Sequence, residues 1–218
     1  MGTGTDVAME RGRGEASEGR PAPRVAVKIA IIQGHPDPAG GHFGHALAAA
    51  YEQAARAAGH EVRTIEVARL DFGFLRNAAQ WQDEPPPAAI LTAQEVLKWT
   101  DHLVIFFPLW LGDMPARLKA FFEQAFRPGF AIGKAAPGRM PKKLFAGRSA
   151  RVVVTMGMPA FFYRLYYRAH SVKSLKRNIL EFCGLSPVRT TIIGMVEGKA
   201  KAREDWLARM SALGEQGA

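Results

Sequence analysis

Residues 106–115, Phe106-Phe107-Pro108-Leu109-Trp110-Leu111-Gly112-Asp113-Met114-Pro115, decide the fold of this chain. They follow the apolar run His102-Leu103-Val104-Ile105, which predicts a strand buried on both faces. They precede residues 116–126, whose apolar side chains recur at helical spacing. Open α/β sheets bind ligands in loops at the carboxyl ends of their parallel strands. This loop carries aromatic and aliphatic groups and no obvious nucleophile, which favours the binding of a flat, apolar ring.

Strand and helix patterns alternate along the rest of the chain. The predicted strands are residues 25–32, 61–67, 102–105, 150–156 and 188–193. The predicted helices are residues 42–58, 92–99 with Thr92 as N-cap, 116–126, 160–182 and 199–213. Residues 134–147 are rich in Gly, Pro and Lys, and they predict a loop. Five βα units with short connections predict an α/β fold with a parallel sheet, right-handed crossovers and helices on both faces.

The length and composition favour one cytoplasmic domain. The 218 residues suffice for a single α/β domain, which we assign to residues 25–218. Residues 1–24 hold almost no large apolar groups, so we expect a disordered N-terminal tail. We find no membrane-spanning run and no signal peptide. The one cysteine, Cys183, excludes an internal disulfide framework, and its apolar surroundings predict a buried structural thiol.

The net charge of +9 is unevenly distributed. Residues 124–180 contain twelve Lys or Arg and no Asp or Glu. A field of one sign concentrates anionic ligands. The segment is therefore either a basic solvated surface, a region that attracts nucleotide phosphates, or a contact for an anionic partner such as a membrane or transporter. Nucleic acid is not predicted as a partner, because no nucleic-acid-binding motif accompanies the charge.

The loop after the first strand is suited to a phosphate. Residues 34–46 contain four glycines and lead into a helix N-terminus, where free N–H groups favour an anion. The imidazoles of His35, His42 and His45 can donate further hydrogen bonds. Three histidines also raise the possibility of a metal, but no acidic or cysteine partner has ligand spacing, and we predict no metal site.

These motifs together resemble the flavodoxin-like NAD(P)H:quinone oxidoreductase family. The resemblance rests on the order and spacing of residues 108–115, 118–122 and 128–131 and extends over roughly residues 25–200. It implies a three-layer sandwich with a five-stranded parallel sheet of order 2-1-3-4-5. It also implies a bound flavin, which we expect to be FMN rather than FAD, because the chain lacks the carboxyl-terminal extension of the larger FAD-binding relatives.

The resemblance assigns the flavin to three loops. It places the phosphate on the first loop and the isoalloxazine ring along the second, and it closes the third over the flavin edge. The implied cofactor-binding residues are His35, His42, Phe43 and Gly44; Pro108, Leu109, Trp110, Leu111 and Gly112; and Thr155, Met156 and Gly157. Trp110 has an alternative role as a core anchor or interface residue.

The resemblance further implies a Tyr and a His as proton donors. Tyr163 and His170 are the candidates, with Tyr166 as a substitute for the tyrosine. The alternative is that these residues pack on a basic amphipathic helix.

The implied reaction is hydride transfer from NAD(P)H through the flavin to a quinone-like acceptor. Basic residues within 139–151 are expected to bind the nucleotide phosphates. The resemblance also implies a homodimer, in which Phe72, Phe74 and Trp81 would cover a partner. Two other functions remain open. One is a regulatory flavoprotein subunit of a glutathione-gated potassium efflux system, docked through the basic helix 164–173. The other is a one-electron flavodoxin carrier, which the basic charge disfavours.

Overall fold

The computed structural model describes Met1 and residues 25–134 and 138–218. Its centre is one sheet of five parallel strands in the order β2-β1-β3-β4-β5. The strands are β1 Lys28–Gln33, β2 Glu61–Glu66, β3 His102–Pro108, β4 Ser149–Thr155 and β5 Val188–Ile193. The predicted flavodoxin-like strand order is thereby confirmed. The predicted disordered tail, apart from Met1, lies outside the described residues.

Eight α-helices occur in the described parts of the chain. They are α1 Phe43–Ala57, α2 Ala78–Gln82, α3 Ala88–Trp99, α4 Ala116–Ala125, α5 Ala160–Leu165, α6 His170–Ser174, α7 Glu181–Cys183 and α8 Ala200–Glu215. A 3₁₀ turn, Val67–Arg69, follows β2, and a π-helical segment, Leu175–Leu180, joins α6 to α7. None of these helices is long and apolar enough to cross a membrane.

The helices cover both faces of the sheet. One face packs on α1 and α8 through a core that includes Leu47, Tyr51 and Met210. The other face packs on α3 and α4. The central strand β3 is buried at six of its seven residues, as expected for a strand covered on both sides. This packing fixes the carboxyl ends of β1, β3 and β4 at one edge of the sheet, where their loops begin.

Two helix predictions were wrong. Thr92 is not an N-cap, because α3 begins at Ala88 after Pro87, and the Thr92 hydroxyl donates to the Ala88 carbonyl one turn back. The predicted continuous helix over residues 160–182 is interrupted, because Arg168 and Ala169 adopt left-handed backbone angles with φ of 50° and 49°. Tyr163 of α5 and Ala169, in the turn that precedes α6, are both buried in the same core.

Cys183 lies in the core, as its apolar surroundings predict. Burial raises the pKa of its thiol to about 12. A thiol with so high a pKa is a poor nucleophile at neutral pH, so Cys183 acts as a small apolar side chain.

Candidate functional site

The three predicted loops meet at the carboxyl edge of the sheet. The His35 and Trp110 rings, from the first and second loops, lie 5.9 Å apart in an edge-to-face arrangement. The Leu109 amide donates to the Thr155 carbonyl over 2.8 Å and thereby connects the second loop to the third. A Cβ atom placed on Gly44 would lie 3.9 Å from the Thr155 hydroxyl, so the first helix also contacts the third loop. One site can therefore use all three loops.

Three histidines form a compact group at the start of α1. The ring centroids of His35 and His42 are 3.9 Å apart and stacked, and that of His45 lies 5.1 Å from His35. Asp37 organises the loop, since one carboxylate oxygen accepts from the Ala39 amide over 2.9 Å and the other lies 2.8 Å from His42 Nε2. The hydrogen bond with His42 lowers the pKa of Asp37.

The surroundings of His35 and His45 favour their neutral forms. Burial is the main cause that lowers the pKa of His35 to about 4, and charge on His42 and His45 contributes to the shift. Burial also lowers the pKa of His45. An anion beside the group would act in the opposite direction, because it stabilises the protonated imidazole.

The start of α1 has unused hydrogen-bond donors. No side chain caps this helix, although its first N–H groups lack partners within the helix. Nδ1 of His45 is buried and has no partner among the described residues. Gly40 and Gly41 have positive φ and open space at their Cβ positions, so nothing there obstructs a ligand. These donors and this space fit a phosphate group.

The second loop forms a tight turn that exposes apolar side chains. Trp110 and Asp113 exchange two backbone hydrogen bonds, and the central residues Leu111 and Gly112 have φ of 47° and 81°. Positive φ at both central residues is typical of a type I′ turn. The conformation is unfavourable for leucine, yet the Leu111 side chain is fully exposed, and that of Trp110 is 51% exposed. Such a strained, apolar and exposed turn favours a ligand-binding role.

The third loop contributes mainly backbone. Thr155 and Met156 are buried, whereas Gly157 is exposed. No atom outside its chain neighbours lies within 4 Å of a Cβ placed on Gly157, so a ligand can approach this peptide closely. Pro108 and Leu109 are half-buried beside it. Phe43 faces a different space, a cavity of about 270 Å³ that it lines together with Trp206 of α8.

The two candidate proton donors have different surroundings. Tyr163 is buried in the core, and its hydroxyl is 2.6 Å from that of Ser171. His170 is exposed at the start of α6 and lines a basic cavity together with Arg168, Lys173 and Arg177. Tyr166 is 70% exposed and stacks on Phe162. The sequence-based role of these residues in proton transfer stays a prediction.

Residues that sequence reasoning missed hold the loops in place. Gln33, buried at the end of β1, accepts from the His35 amide and donates to the Gly44 carbonyl. Arg69 donates to the Pro38 carbonyl over 3.1 Å. Asp113 had no role from sequence, but its carboxylate accepts from the Met114 amide and closes the second loop. The one signal in the sequence was a glutamine directly after the apolar run of β1, and it did not specify its partners.

Residues 27–213 match the family described as having a flavodoxin-like fold. The chain belongs to this family. Its flavodoxin-like topology therefore agrees with the sequence match.

Known proteins with similar sequence or structure include oxidoreductases. The chain is 26% identical over 156 residues to a ribosyldihydronicotinamide dehydrogenase-like protein of Penicillium crustosum, a match that covers 60% of this chain and 58% of that protein. It is similar in structure to an NAD(P)H:quinone oxidoreductase of Methanothermobacter marburgensis, with a TM-score of 0.72, 23% identity, and coverage of 87% of this chain and 96% of the other. It is also similar to an FMN-dependent NADH-azoreductase of Bacillus anthracis in complex with FMN, with a TM-score of 0.69, 15% identity, and coverage of 88% and 99%.

The described residues fit a flavin nucleotide. The open first loop and the unpartnered Nδ1 of His45 suit its phosphate. The exposed apolar turn at Trp110 suits the face of its ring, and the open backbone at Gly157 suits its polar edge. Within the described residues, no group of three or more His, Cys, Asp or Glu side chains is arranged to hold a metal ion.

Proposed function

We propose that this protein is an FMN-dependent NAD(P)H oxidoreductase that reduces a quinone-like acceptor by two electrons. The observation that supports the proposal is the meeting of a phosphate-suited loop and an exposed apolar turn at one edge of a flavodoxin-like sheet. The structural similarity to an NAD(P)H:quinone oxidoreductase is consistent with this activity. The similarity to a protein in complex with FMN supports FMN over FAD.

When bound, FMN would accept a hydride from NAD(P)H and deliver two electrons to the acceptor. The first turn of α1 and His45 would bind the flavin phosphate through N–H donors. Trp110 and Leu111 would contact the ring and exclude water from it. The exposed backbone around Gly157 would offer N–H groups to the polar edge of the ring, where they stabilise negative charge. The protein thus contributes binding, orientation and electrostatics.

The basic character of residues 124–180 would help to attract NAD(P)H, because both nicotinamide nucleotides are anionic. Some of these basic side chains form hydrogen bonds within the fold. Arg127 is buried and donates to the Glu84 carbonyl over 2.8 Å, and Arg148 donates to the Lys98 carbonyl over 2.8 Å. The arginines and lysines of the exposed surface therefore provide the attraction.

A direct test is the affinity of the protein for FMN and FAD, measured by flavin fluorescence in titrations of wild type, His45→Gln and Arg177→Gln. We expect the His45→Gln protein to bind FMN about tenfold more weakly, because one charge-assisted hydrogen bond to the phosphate is lost. The Arg177→Gln protein, changed at a basic residue of the π-helical segment and not on the three loops, should bind like wild type. Equal FMN affinity in all three proteins would contradict the assignment of the phosphate site.

The same proposal includes a homodimer. Trp81 lines an apolar cavity of about 330 Å³ together with Phe122, Phe126 and Phe182. Phe74, in the same long connection, is 66% exposed, whereas Phe72 packs edge-to-face on Phe121 at 6.3 Å. An exposed apolar surface of this kind favours burial against a partner. Analytical ultracentrifugation of wild type and Phe74→Asp would test it, with a shift of the variant to monomer as the expected result.

A second candidate function is docking on an anionic surface. Helix α5 and its C-cap expose Phe161, Leu165 and Tyr166 at 66%, 75% and 70%, and the basic Arg164 and Arg168 lie close to them in sequence. Exposed aromatic and basic groups on one element are typical of contact with anionic lipid or an acidic partner. Sedimentation with phosphatidylglycerol vesicles, but not with phosphatidylcholine vesicles, would support docking. Leu165→Asp should abolish it, and Leu91→Asp, which changes an exposed leucine of α3, should not.

A further inference from the structure

Two arginines are adjacent in the sheet without a counter-charge. Arg151 of β4 and Arg189 of β5 are partners in the parallel register, and neighbouring strands lie about 4.8 Å apart. Both face the α1 and α8 side, because they alternate in step with Val153 and Ile193 of that core. Like charges at directly paired positions destabilise a sheet.

A third arginine, Arg209, lies on α8, which packs on the same face of the sheet. The guanidinium of Arg209 lies over the Trp206 ring at 5.1 Å from its centroid. Burial lowers the pKa of Arg151, and the charges of Arg189 and Arg209 lower it further. Within the described parts of the chain, none of these three arginines forms an ion pair with a carboxylate.

The guanidinium of Arg151 uses only part of its hydrogen-bonding capacity. Arg151 is only 7% exposed. One terminal nitrogen of its guanidinium donates a hydrogen bond to the Thr191 hydroxyl over 3.1 Å, but Nε has no hydrogen-bond partner among the described residues. Two polar groups near it are also unpartnered among the described residues, namely the Tyr51 hydroxyl and His102 Nε2. A buried, unpaired cation is expensive unless a counter-ion or several hydrogen bonds compensate for it.

We propose that Arg151, Arg189 and Arg209 form a binding site for a phosphate-class oxyanion, between β4, β5 and α8 and separate from the flavin site. An oxyanion can accept hydrogen bonds from several guanidinium groups at once, and arginine is suited to this recognition by its planar set of donors. Arg151 is the fixed element, held by Thr191, and the exposed Arg189 and Arg209 close on the ligand. Binding of the oxyanion would offset the repulsion among the three arginines and connect them through hydrogen bonds to one ligand.

The test uses the full chain with saturating FMN, so that the flavin phosphate loop is filled. Thermal unfolding is followed for wild type, Arg189→Gln, Arg209→Gln and the control Lys173→Gln in chloride, in inorganic phosphate and in glycerol 3-phosphate at equal ionic strength. Equal ionic strength removes general screening of the repulsion. The two phosphate arms distinguish the free ion from a phosphate ester.

We expect the order of melting temperature of wild type and Arg189→Gln to reverse between chloride and phosphate. In chloride, Arg189→Gln should melt above wild type, because one repelling charge is removed. In phosphate or its ester, at about tenfold excess over the dissociation constant, wild type should gain about 3 °C and rise above the variant. Arg209→Gln should bind the oxyanion about tenfold more weakly, and Lys173→Gln should behave like wild type.

Stabilisation by phosphate that is equal in wild type, Arg189→Gln and Arg209→Gln would overturn the proposal, as it would indicate an adventitious ion only. The absence of any phosphate effect beyond that of chloride would overturn it as well. Neither result depends on flavin binding, because the comparison is between proteins that differ only at the arginine cluster. If Arg189→Gln fails to fold, the exposed Arg209 variant decides the question alone.

Discussion

The imidazole rings of His35 and His42 are stacked with their centroids 3.9 Å apart and their planes inclined by 16°. His35 is buried at the start of the first loop, two residues after β1, and His42 is the N-cap of α1. Two positive charges at this separation would repel strongly, so the pair accepts a second proton only with difficulty. A bound phosphate would relieve the repulsion, which makes the pair a natural partner of an anionic ligand.

The stability of the protein without flavin should fall as the pH decreases from about 6.5 to 4. Burial holds the pKa of His35, and that of His102, at about 4 in the folded chain, below the ordinary value of 6.5. The unfolded chain therefore binds more protons in this window, and protonation favours unfolding. Urea unfolding at several pH values should show a shallower pH dependence for His35→Gln than for wild type. The same dependence in both proteins would contradict the assigned shift of His35.

Replacement of Trp110 by alanine should weaken FMN binding by about tenfold or more, because ring stacking contributes about 1–3 kcal/mol. Trp110 is 51% exposed, so the change should cost little folding stability. The matched control is Trp81→Ala, since Trp81 lies on α2, away from the three loops. Flavin titration of both variants distinguishes the two tryptophans. A loss of folding without a loss of affinity would instead assign Trp110 to the core.

Gly214→Ala should destabilise the fold by about 1–3 kcal/mol. A Cβ at this position would lie 2.2 Å from the Tyr51 carbonyl oxygen, so α8 would have to move away from α1. Gly73→Ala is a suitable control, because its Cβ would meet nothing within 4 Å. Chemical unfolding of the two variants measures the difference. Equal free energies of unfolding for Gly214→Ala and Gly73→Ala would contradict the close packing of α8 on α1.

Tyr163→Phe should cost about 1 kcal/mol of folding stability, because the buried hydroxyl loses its hydrogen bond to Ser171. The same variant should retain its rate of quinone reduction, since that hydroxyl is buried in the core. Unfolding and steady-state assays of Tyr163→Phe and His170→Gln separate structure from proton transfer. A large fall in turnover of Tyr163→Phe at unchanged stability would support the role that the family resemblance implies.

Much of this architecture could be predicted from sequence, because local patterns of apolar residues indicate buried strands. The run at β3 and the alternation of strands with amphipathic helices led to the correct sheet. The break at Arg168 and Ala169 could not be predicted in this way. Neither residue is a glycine, and the turn carries Ala169 into the core that also holds Tyr163, which is a tertiary contact and not a local preference.

The candidate site was predictable in its loops but not in its supports. The glycines, histidines and the Trp110 turn mark the loops directly in the sequence. The hydrogen bond of Gln33 to the Gly44 carbonyl joins β1 to α1, and that of Arg69 to the Pro38 carbonyl joins residues 31 positions apart, so no local pattern could specify these partners. The pairing of Arg151 with Arg189 likewise appears only when the register of β4 and β5 is known.

The most direct test of the proposed function is an anaerobic absorbance titration of the FMN-loaded protein, first with NADPH or NADH and then with a quinone. The account predicts that flavin remains bound through gel filtration, that its visible band bleaches on addition of the nicotinamide nucleotide, and that the band returns with the quinone. A protein that retains no FMN after reconstitution, or whose bound flavin neither nucleotide reduces, would contradict the account.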